Sequence, residues 1–300
     1  MKIKLILLIL AFQYTTMAQD NTNRVFANCP PGTVLKANIP YANDTLKKHR
    51  LDIYWPKDVK PNMPLVVWFH GGAWRTNDQC GDMSYMKNTI AEILQNGFML
   101  ASVDYRFSTQ SVFPQIVQDC NLGLEYLYQH ATQYGIDKKR IAVMGFSAGS
   151  HLICLSALAQ NNKMKSFVAP GAKQSYKIKA VVDFYGPSDL ISHTKPEEAF
   201  DPNSPIHNLL GASAIERPDL ARIASPVTYI DKNDPPFLII NGEKDESVNY
   251  TQAKLLGASL SLAGVKNEVI IVKDAPHYGA YFDVEMVRSK VIAFLKEHLK

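Results

Sequence analysis

Residues 145–149 read Gly-Phe-Ser-Ala-Gly, which matches the pattern G-x-S-x-G with Ser147 at its centre. A short apolar run precedes the pattern and a longer apolar segment follows it, which predicts a buried strand, a sharp turn and a helix. A serine on such a turn has its hydroxyl exposed at the tip, and the N-terminus of the following helix points at the reacting centre. Gly145 and Gly149 fit this turn because a side chain at either position would crowd it. The pattern indicates a nucleophile, and a glycine-rich loop without chemistry is the alternative until a base, an acid and oxyanion donors are found.

A serine hydroxyl needs a base within hydrogen-bond reach, and the chain has eight histidines. His277 follows the last predicted strand in a short loop, which would bring its imidazole to the edge of the sheet where Ser147 lies. His151 is one turn along the serine's own helix and His70 precedes two glycines, so we expect structural roles for both. A surface position is expected for the remaining histidines, which are His49, His130, His193, His207 and His298.

The base needs a carboxylate to fix its tautomer and to stabilise the imidazolium ion. Asp245 comes just after the penultimate predicted strand, and the chain order Ser147, Asp245, His277 is the one expected of an α/β-hydrolase. Glu243 and Asp274 are close rivals in sequence. Because Asp274 directly precedes the histidine loop, a turn-forming role suits it better, and Asp245 is the predicted acid.

Developing negative charge on a carbonyl oxygen needs backbone N–H donors. The segment His-Gly-Gly-Ala-Trp at 70–74 follows a continuous apolar run that ends at Phe69. The N–H groups of Gly71 and Gly72, together with that of Ala148 after the serine, are the predicted oxyanion hole. A plain turn is the alternative for the two glycines alone, but three such patterns in the right order, each after a predicted strand, make coincidence improbable.

The elements that must position these groups alternate along the chain. Strand-like apolar runs and helical patterns follow one another, which predicts an α/β fold with a mostly parallel sheet and helices on both faces. The predicted strands are 51–55, 65–69, 98–103, 140–144, 178–185, 237–240 and 269–272, and the predicted helices are 83–96, 114–134, 248–263 and 280–299.

One proline-rich segment interrupts this alternation, at about 186–235. Ligands of open α/β sheets bind at the carboxyl ends of the strands, so we interpret the segment as an irregular cap insertion that shapes the substrate pocket. A long loop without structure is the alternative. Residues 19–300 are otherwise expected to form a single domain.

The first 18 residues have the pattern of a secretory signal peptide, with Lys2 and Lys4 before a short apolar run and a small residue, Ala18, at the cleavage site. The chain is therefore expected to be secreted or periplasmic, without a membrane anchor. The formal charge is +4, to which those two lysines contribute, and this balance favours neither nucleic acid nor acidic surfaces as partners.

Four cysteines are present, at positions 29, 80, 120 and 154. Their spacing matches no metal site, so no metal or cofactor is predicted. Cys154 lies in the helix after the serine and is expected to be a buried free thiol. A disulfide among Cys29, Cys80 and Cys120 is left open, as is the oligomeric state.

Over roughly residues 48–298 the chain resembles the α/β-hydrolase superfamily, and it is particularly similar to the secreted bifunctional feruloyl and acetylxylan esterases of carbohydrate-active bacteria. The resemblance rests on segments 70–74, 104–106, 134–140, 145–149, 225–227, 235–239 and 242–245 and on His277. The chain departs from the family pattern twice. Ala73 stands where many relatives have a third glycine, and Asn241 stands where a histidine is common.

The resemblance implies a serine esterase that acts on acetyl or feruloyl esters of plant polysaccharide, with a small acyl ester or acylated carbohydrate as its substrate. It also implies structural roles for Asp137, Arg140 and Arg106. Trp74 beside the oxyanion loop and Tyr185 near the cap are candidate substrate contacts, and core packing explains each about as well. The alternatives are a generic carboxylesterase, an amidase or peptidase with the same triad, and a catalytically silent binding module.

Overall fold

The computed structural model describes residues 25–162 and 164–299, and the expected signal peptide at 1–18 lies outside these residues. Within them one sheet carries the fold. Its strands are β1 (Val34–Pro40), β2 (Arg50–Trp55), β3 (Met63–Phe69), β4 (Met99–Val103), β5 (Ile136–Phe146), β6 (Ala180–Phe184), β7 (Phe237–Gly242) and β8 (Asn267–Val272). The spatial order is β1-β2-β4-β3-β5-β6-β7-β8. Strands β3 to β8 run parallel, whereas β1 pairs antiparallel with β2 and β2 antiparallel with β4.

Helices cover both faces of the sheet, as predicted. They are α1 (Lys87–Gln95), α2 (Gln115–Gln129), α3 (Ala131–Tyr134), α4 (Ala148–Leu158), α5 (Leu190–His193), α6 (Pro205–Leu210), α7 (Pro218–Ile223), α8 (Thr251–Leu262) and α9 (Glu285–His298). Apolar residues of α2, α4 and α8 pack in one core cluster, and those of α1 and α9 pack in a second cluster. The mostly parallel sheet between two helical layers confirms the predicted α/β-hydrolase class.

Several predicted boundaries differ from the observed ones. Helix α1 begins at Lys87 and not at residue 83, because the distant Asp283 carboxylate accepts hydrogen bonds from the backbone N–H groups of Asn88 at 2.9 Å and Thr89 at 2.8 Å. The single helix predicted over 114–134 is divided into α2 and α3. Strand β5 starts earlier than predicted, and β1 was missed.

The proline-rich segment contains α5, α6 and α7, which the sequence patterns did not predict. Side chains cap the N-termini of two of these short helices, α5 and α6. The Asp189 carboxylate accepts from the N–H groups of the first turn of α5, and the Ser204 hydroxyl accepts from the His207 N–H in α6. Capping of this kind stabilises helices too short to form alone.

The two arginines for which the resemblance implies structural roles both form ion pairs. Arg106 Nε lies 2.8 Å from Asp119 Oδ2, which joins the loop after β4 to α2. Arg140 Nε lies 2.8 Å from Asp137 Oδ2 at the start of β5. Both pairs therefore brace loops and strands.

All four cysteines are free thiols, so no disulfide joins Cys29, Cys80 or Cys120. Cys154 is buried, as predicted. No helix within the described residues is long and apolar enough to cross a bilayer.

Candidate active site

Ser147 occupies a strained turn between β5 and α4. Its φ of 50° and ψ of −116° lie outside the regions that residues with a side chain ordinarily adopt. The turn is possible because its neighbours are glycines. A Cβ on Gly149 would lie 2.3 Å from the carbonyl oxygens of both Phe69 and His70, and one on Gly145 would lie 2.6 Å from Ser150 Cα. The predicted reason for the two glycines is therefore correct.

The structure brings Ser147, His277 and Asp245 together. Ser147 Oγ lies 2.8 Å from His277 Nε2, and His277 Nδ1 lies 2.7 Å from Asp245 Oδ2. The three residues follow strands β5, β8 and β7 respectively, all at their carboxyl ends. The contacts thus run from Ser147 to His277 to Asp245, which is the arrangement expected of a nucleophile, a base and an acid.

Backbone N–H groups hold the Asp245 carboxylate in place. Its Oδ1 accepts hydrogen bonds from Ser247 N at 2.9 Å and Val248 N at 2.8 Å. The side chain is buried, and these donors stabilise its charge, which Oδ2 presents to His277.

Asn241, one of the two departures from the family pattern, supports the same carboxylate. Its Nδ2 lies 3.3 Å from Asp245 Oδ2 and 3.2 Å from the carbonyl oxygen of Val248. The residue is fully buried at the end of β7. Asn241 therefore acts as a positioning residue beside the acid.

The two rival carboxylates do not reach His277. Glu243 Oε2 accepts from the backbone N–H of Asp274 at 3.1 Å, and Asp274 Oδ1 lies 2.5 Å from Lys244 Nζ. Both rivals are used in surface turns, which matches the turn role expected for Asp274.

The oxyanion loop differs from the prediction at Gly71. The Gly71 N–H donates to Asp82 Oδ2 at 2.6 Å, so it is not free to bind a substrate oxygen. Sequence patterns could not show this, because Asp82 reaches the loop from eleven residues away. Within 25–162 and 164–299 the N–H groups of the predicted donors Gly72 and Ala148 have no acceptor, and neither does that of Ala73, which was not predicted. These three are the candidate donors. The loop is strained at Ala73 and Trp74, whose φ values are 51° and 58°.

The other histidines lie outside the triad. His70 is buried, with ring nitrogens 2.6 Å from Gly71 O and 3.0 Å from Asp104 Oδ1, so it shapes the loop as expected. His151 points into the core, where Trp74 Nε1 donates to its Nδ1 at 3.3 Å and its Nε2 lies 2.7 Å from Ala224 O. Burial lowers the pKa of His151 to about 4.

The surface prediction is wrong for His49, which is buried with its ring 2.6 Å from Asp44 Oδ2 and 3.1 Å from Asp119 Oδ1. The other four histidines for which a surface position was expected are half-buried. His193 lines the same cavity as Ser147, and burial lowers its pKa to about 4, with Lys195 acting in the same direction. Asp119, one of the two partners of His49, comes from the distant helix α2, and local sequence patterns do not reveal that contact.

A cavity of about 520 Å³ opens over Ser147, and Trp74 and Tyr185 both line it. Each is also packed in the core. Trp74 is 3 % exposed, and Tyr185 is 1 % exposed with its ring centroid 4.8 Å from that of His277. The two residues thus form part of the cavity wall and pack in the core, and their contact with substrate stays a prediction.

Further cavity residues were missed by sequence reasoning. They include Asp82, Tyr85 and Tyr278 from the main fold, and His193, Lys195, Glu198, Pro205 and Ile206 from the cap segment. Tyr278 is the neighbour of His277, and the residues of the cap segment lie where the sequence predicted a pocket-shaping cap, so these had a sequence signal, whereas Asp82 and Tyr85 had none. A larger open cavity of about 1020 Å³ lies at the opposite edge, beside Lys179 and Pro236 at the amino ends of β6 and β7, and contains no triad member.

No group of three or more potential metal ligands occurs among the residues that the structure describes. The groups that the structure brings together at the cavity are a serine hydroxyl, an imidazole and backbone N–H donors. This set suits acyl transfer.

Comparisons with known proteins find a matching family and several esterases. The BD-FAE family model matches residues 51–260. Esterase LipQ of Mycobacterium tuberculosis is 27% identical over 261 residues, which are 86% of this chain and 60% of that protein. The chain spans only 50–60% of the length of the first curated relatives it matches.

Two solved structures are similar at 28% identity. A truncated carbohydrate esterase from gut microbiota has a TM-score of 0.78, with 88% of this chain and 96% of that chain covered. A bifunctional GH43-CE protein of Bacteroides eggerthii has a TM-score of 0.77, with 89% of this chain and 35% of that chain covered.

Proposed function

The chain belongs to the BD-FAE family, and we propose that it is a serine esterase whose nucleophile, base and acid are Ser147, His277 and Asp245. The observation that carries this proposal is the continuous contact from Ser147 Oγ to His277 Nε2 at 2.8 Å and from His277 Nδ1 to Asp245 Oδ2 at 2.7 Å. Esterase relatives such as LipQ support the reaction class.

In the acylation step, Ser147 Oγ attacks the ester carbonyl while its proton moves to His277 Nε2. Asp245 accepts the Nδ1–H hydrogen bond and stabilises the imidazolium ion. The N–H groups of Ala148, Gly72 and Ala73 are the donors we assign to the oxyanion. His277 then protonates the leaving alcohol, and an acyl-Ser147 ester remains.

In the deacylation step, a water molecule takes the place of the alcohol. His277 removes a proton from the water, and the resulting hydroxide attacks the acyl carbonyl. Collapse of the tetrahedral intermediate releases the carboxylic acid, and the proton on His277 returns to Ser147. The strained turn keeps Oγ at the same point through both steps.

The substrate we propose is an acetyl or feruloyl ester of plant polysaccharide, hydrolysed by a secreted or periplasmic protein. The family and the two carbohydrate-esterase structures support the substrate, and the signal-peptide pattern at 1–18 supports export. A generic carboxylesterase and an amidase or peptidase with the same triad are the alternatives.

Hydrolysis of p-nitrophenyl acetate by wild type and Ser147→Ala tests the reaction. We expect the variant to lose on the order of 10⁶ in kcat. Equal rates for the two proteins would refute the esterase proposal and favour a binding module.

Release of acetate and ferulate from xylan tests the substrate. Release of neither, with p-nitrophenyl acetate still hydrolysed, would favour a generic carboxylesterase. Faster cleavage of p-nitroacetanilide than of the ester would favour the amidase.

A further inference from the structure

The triad geometry tells which side of the cavity receives the alcohol part of an ester. In the mechanism proposed above, His277 Nε2 gives its proton to the leaving oxygen, so that oxygen must lie against the His277 ring. The residues next to His277 that face the cavity are therefore the ones that meet the alcohol. Tyr278 satisfies this condition, and the Tyr85 ring lies next to the Tyr278 ring in the same cavity. Tyr185 also lies beside His277, but it is buried.

Tyr278 is an exposed aromatic residue at this position. Its side chain is 64 % exposed although it lines the cavity, and its ring centroid lies 6.2 Å from that of His277 and 6.2 Å from that of Tyr85. Packing in the core does not explain a ring with so much free surface. A ring left open beside a reacting centre is suited to contact a ligand.

The Tyr85 hydroxyl and the Asp82 carboxylate lie in the same cavity as this ring. The Tyr85 hydroxyl donates to Asp82 Oδ1, and it lies 3.2 Å from the Tyr185 hydroxyl. Asp82 Oδ2 accepts the Gly71 N–H at 2.6 Å. Each carboxylate oxygen can accept a further hydrogen bond, so Asp82 offers acceptor capacity to a hydroxyl-rich ligand.

We propose that Tyr278, with the Asp82–Tyr85 pair, forms the subsite for a sugar ring that is the alcohol part of the substrate. A pyranose has weakly positive C–H groups on its faces and hydroxyls around its edge. The C–H face suits the negative face of the Tyr278 ring, and an edge hydroxyl suits the Asp82 carboxylate. A small alcohol such as methanol would leave both unused. This inference rests on the proposed esterase function. It assigns recognition of the alcohol part of the substrate to the side of the cavity that carries Tyr278.

The test compares two acetyl esters, an acetylated methyl xyloside and vinyl acetate, whose alcohol part is too small to reach Tyr278. The measured quantity is the ratio of kcat/KM for the sugar ester to that for vinyl acetate. We expect Tyr278→Ala to lower this ratio roughly tenfold and Tyr278→Phe to keep it, because stacking needs the ring and not the hydroxyl. Tyr85→Phe, which removes the hydroxyl bound to Asp82, is expected to lower the ratio as well.

Tyr281→Ala is the matched control. Tyr281 is 51 % exposed, lies three residues after Tyr278 and does not line the cavity, so its ratio should equal that of wild type. A ratio that is the same in Tyr278→Ala as in wild type would overturn the subsite, as would a wild type that hydrolyses vinyl acetate but not the sugar ester. A wild type inactive on both esters would instead refute the proposed function.

Discussion

The backbone N–H of Gly71 donates to Asp82 Oδ2 at 2.6 Å, directly beneath the loop that carries the oxyanion donors. Burial raises the pKa of the Asp82 carboxyl, and the hydrogen bonds from Tyr85 and Gly71 oppose that shift. The contact fixes a loop whose next residues are strained, since Ala73 and Trp74 have positive φ. We therefore infer that Asp82 positions the proposed oxyanion loop through its hydrogen bond with the Gly71 N–H.

Asp82→Ala is expected to lower kcat on vinyl acetate roughly tenfold to a hundredfold with little change in KM, because the donors lose their orientation and the Gly71 N–H loses its acceptor. Asp82→Asn keeps an oxygen acceptor and should lose less. Steady-state kinetics of both variants check this. A rise in KM at constant kcat would contradict a positioning role.

Asp245→Asn should lower kcat by about 10⁴, because an amide stabilises the wrong tautomer of His277. Glu243→Gln is the matched control two residues away, and we expect its kcat to stay within a few fold of wild type. Hydrolysis of p-nitrophenyl acetate measures both. A larger loss in Glu243→Gln would mean that the acid is assigned to the wrong residue.

Asn241→Leu removes the amide that contacts Asp245 Oδ2 at 3.3 Å while keeping the volume of the side chain. We expect kcat to fall roughly tenfold, which corresponds to about one hydrogen bond to a charged group. Circular dichroism verifies that the fold is retained. Unchanged kcat would show that the backbone donors at Ser247 and Val248 hold the acid without help.

Gly149→Ala should destabilise the protein by about 3 kcal/mol, because its Cβ would meet two backbone carbonyl oxygens at 2.3 Å. Gly264→Ala is the control. Gly264 has φ +79° with open space around it, so only backbone strain of about 1 kcal/mol applies. Urea unfolding measures both. Equal losses would mean that the close approach of α4 to β3 is not required.

Acid should weaken the fold through His151. Its pKa in the folded protein is about 4, below the ordinary value near 6.5, so the unfolded chain binds a proton first as the pH falls. The unfolding free energy should therefore fall between about pH 6.5 and pH 4, by at most on the order of 3 kcal/mol from this residue. His151→Gln, which does not titrate, should show a shallower fall in urea unfolding, and equal slopes would contradict the assignment.

Much of the site was predictable because parallel strands end at one edge of a sheet. Ser147, Asp245 and His277 each follow a strand that an apolar run identifies. Their proximity can therefore be predicted without knowing any other tertiary contact. Element boundaries were less predictable, since α1 begins where Asp283, nearly two hundred residues later, accepts its first N–H groups.

The amino-acid sequence by itself determined the α/β architecture and predicted Ser147, His277 and Asp245 as nucleophile, base and acid, because local patterns and their order along the chain carry that information. Tertiary structure alone decided that Gly71 gives its N–H to Asp82, that His49 is buried between two carboxylates, and that Tyr278 stays open beside His277. Each of these outcomes depends on which groups from separate segments meet after folding. The sequence has no periodic pattern or fixed spacing that would show which of these groups form hydrogen bonds or become buried together.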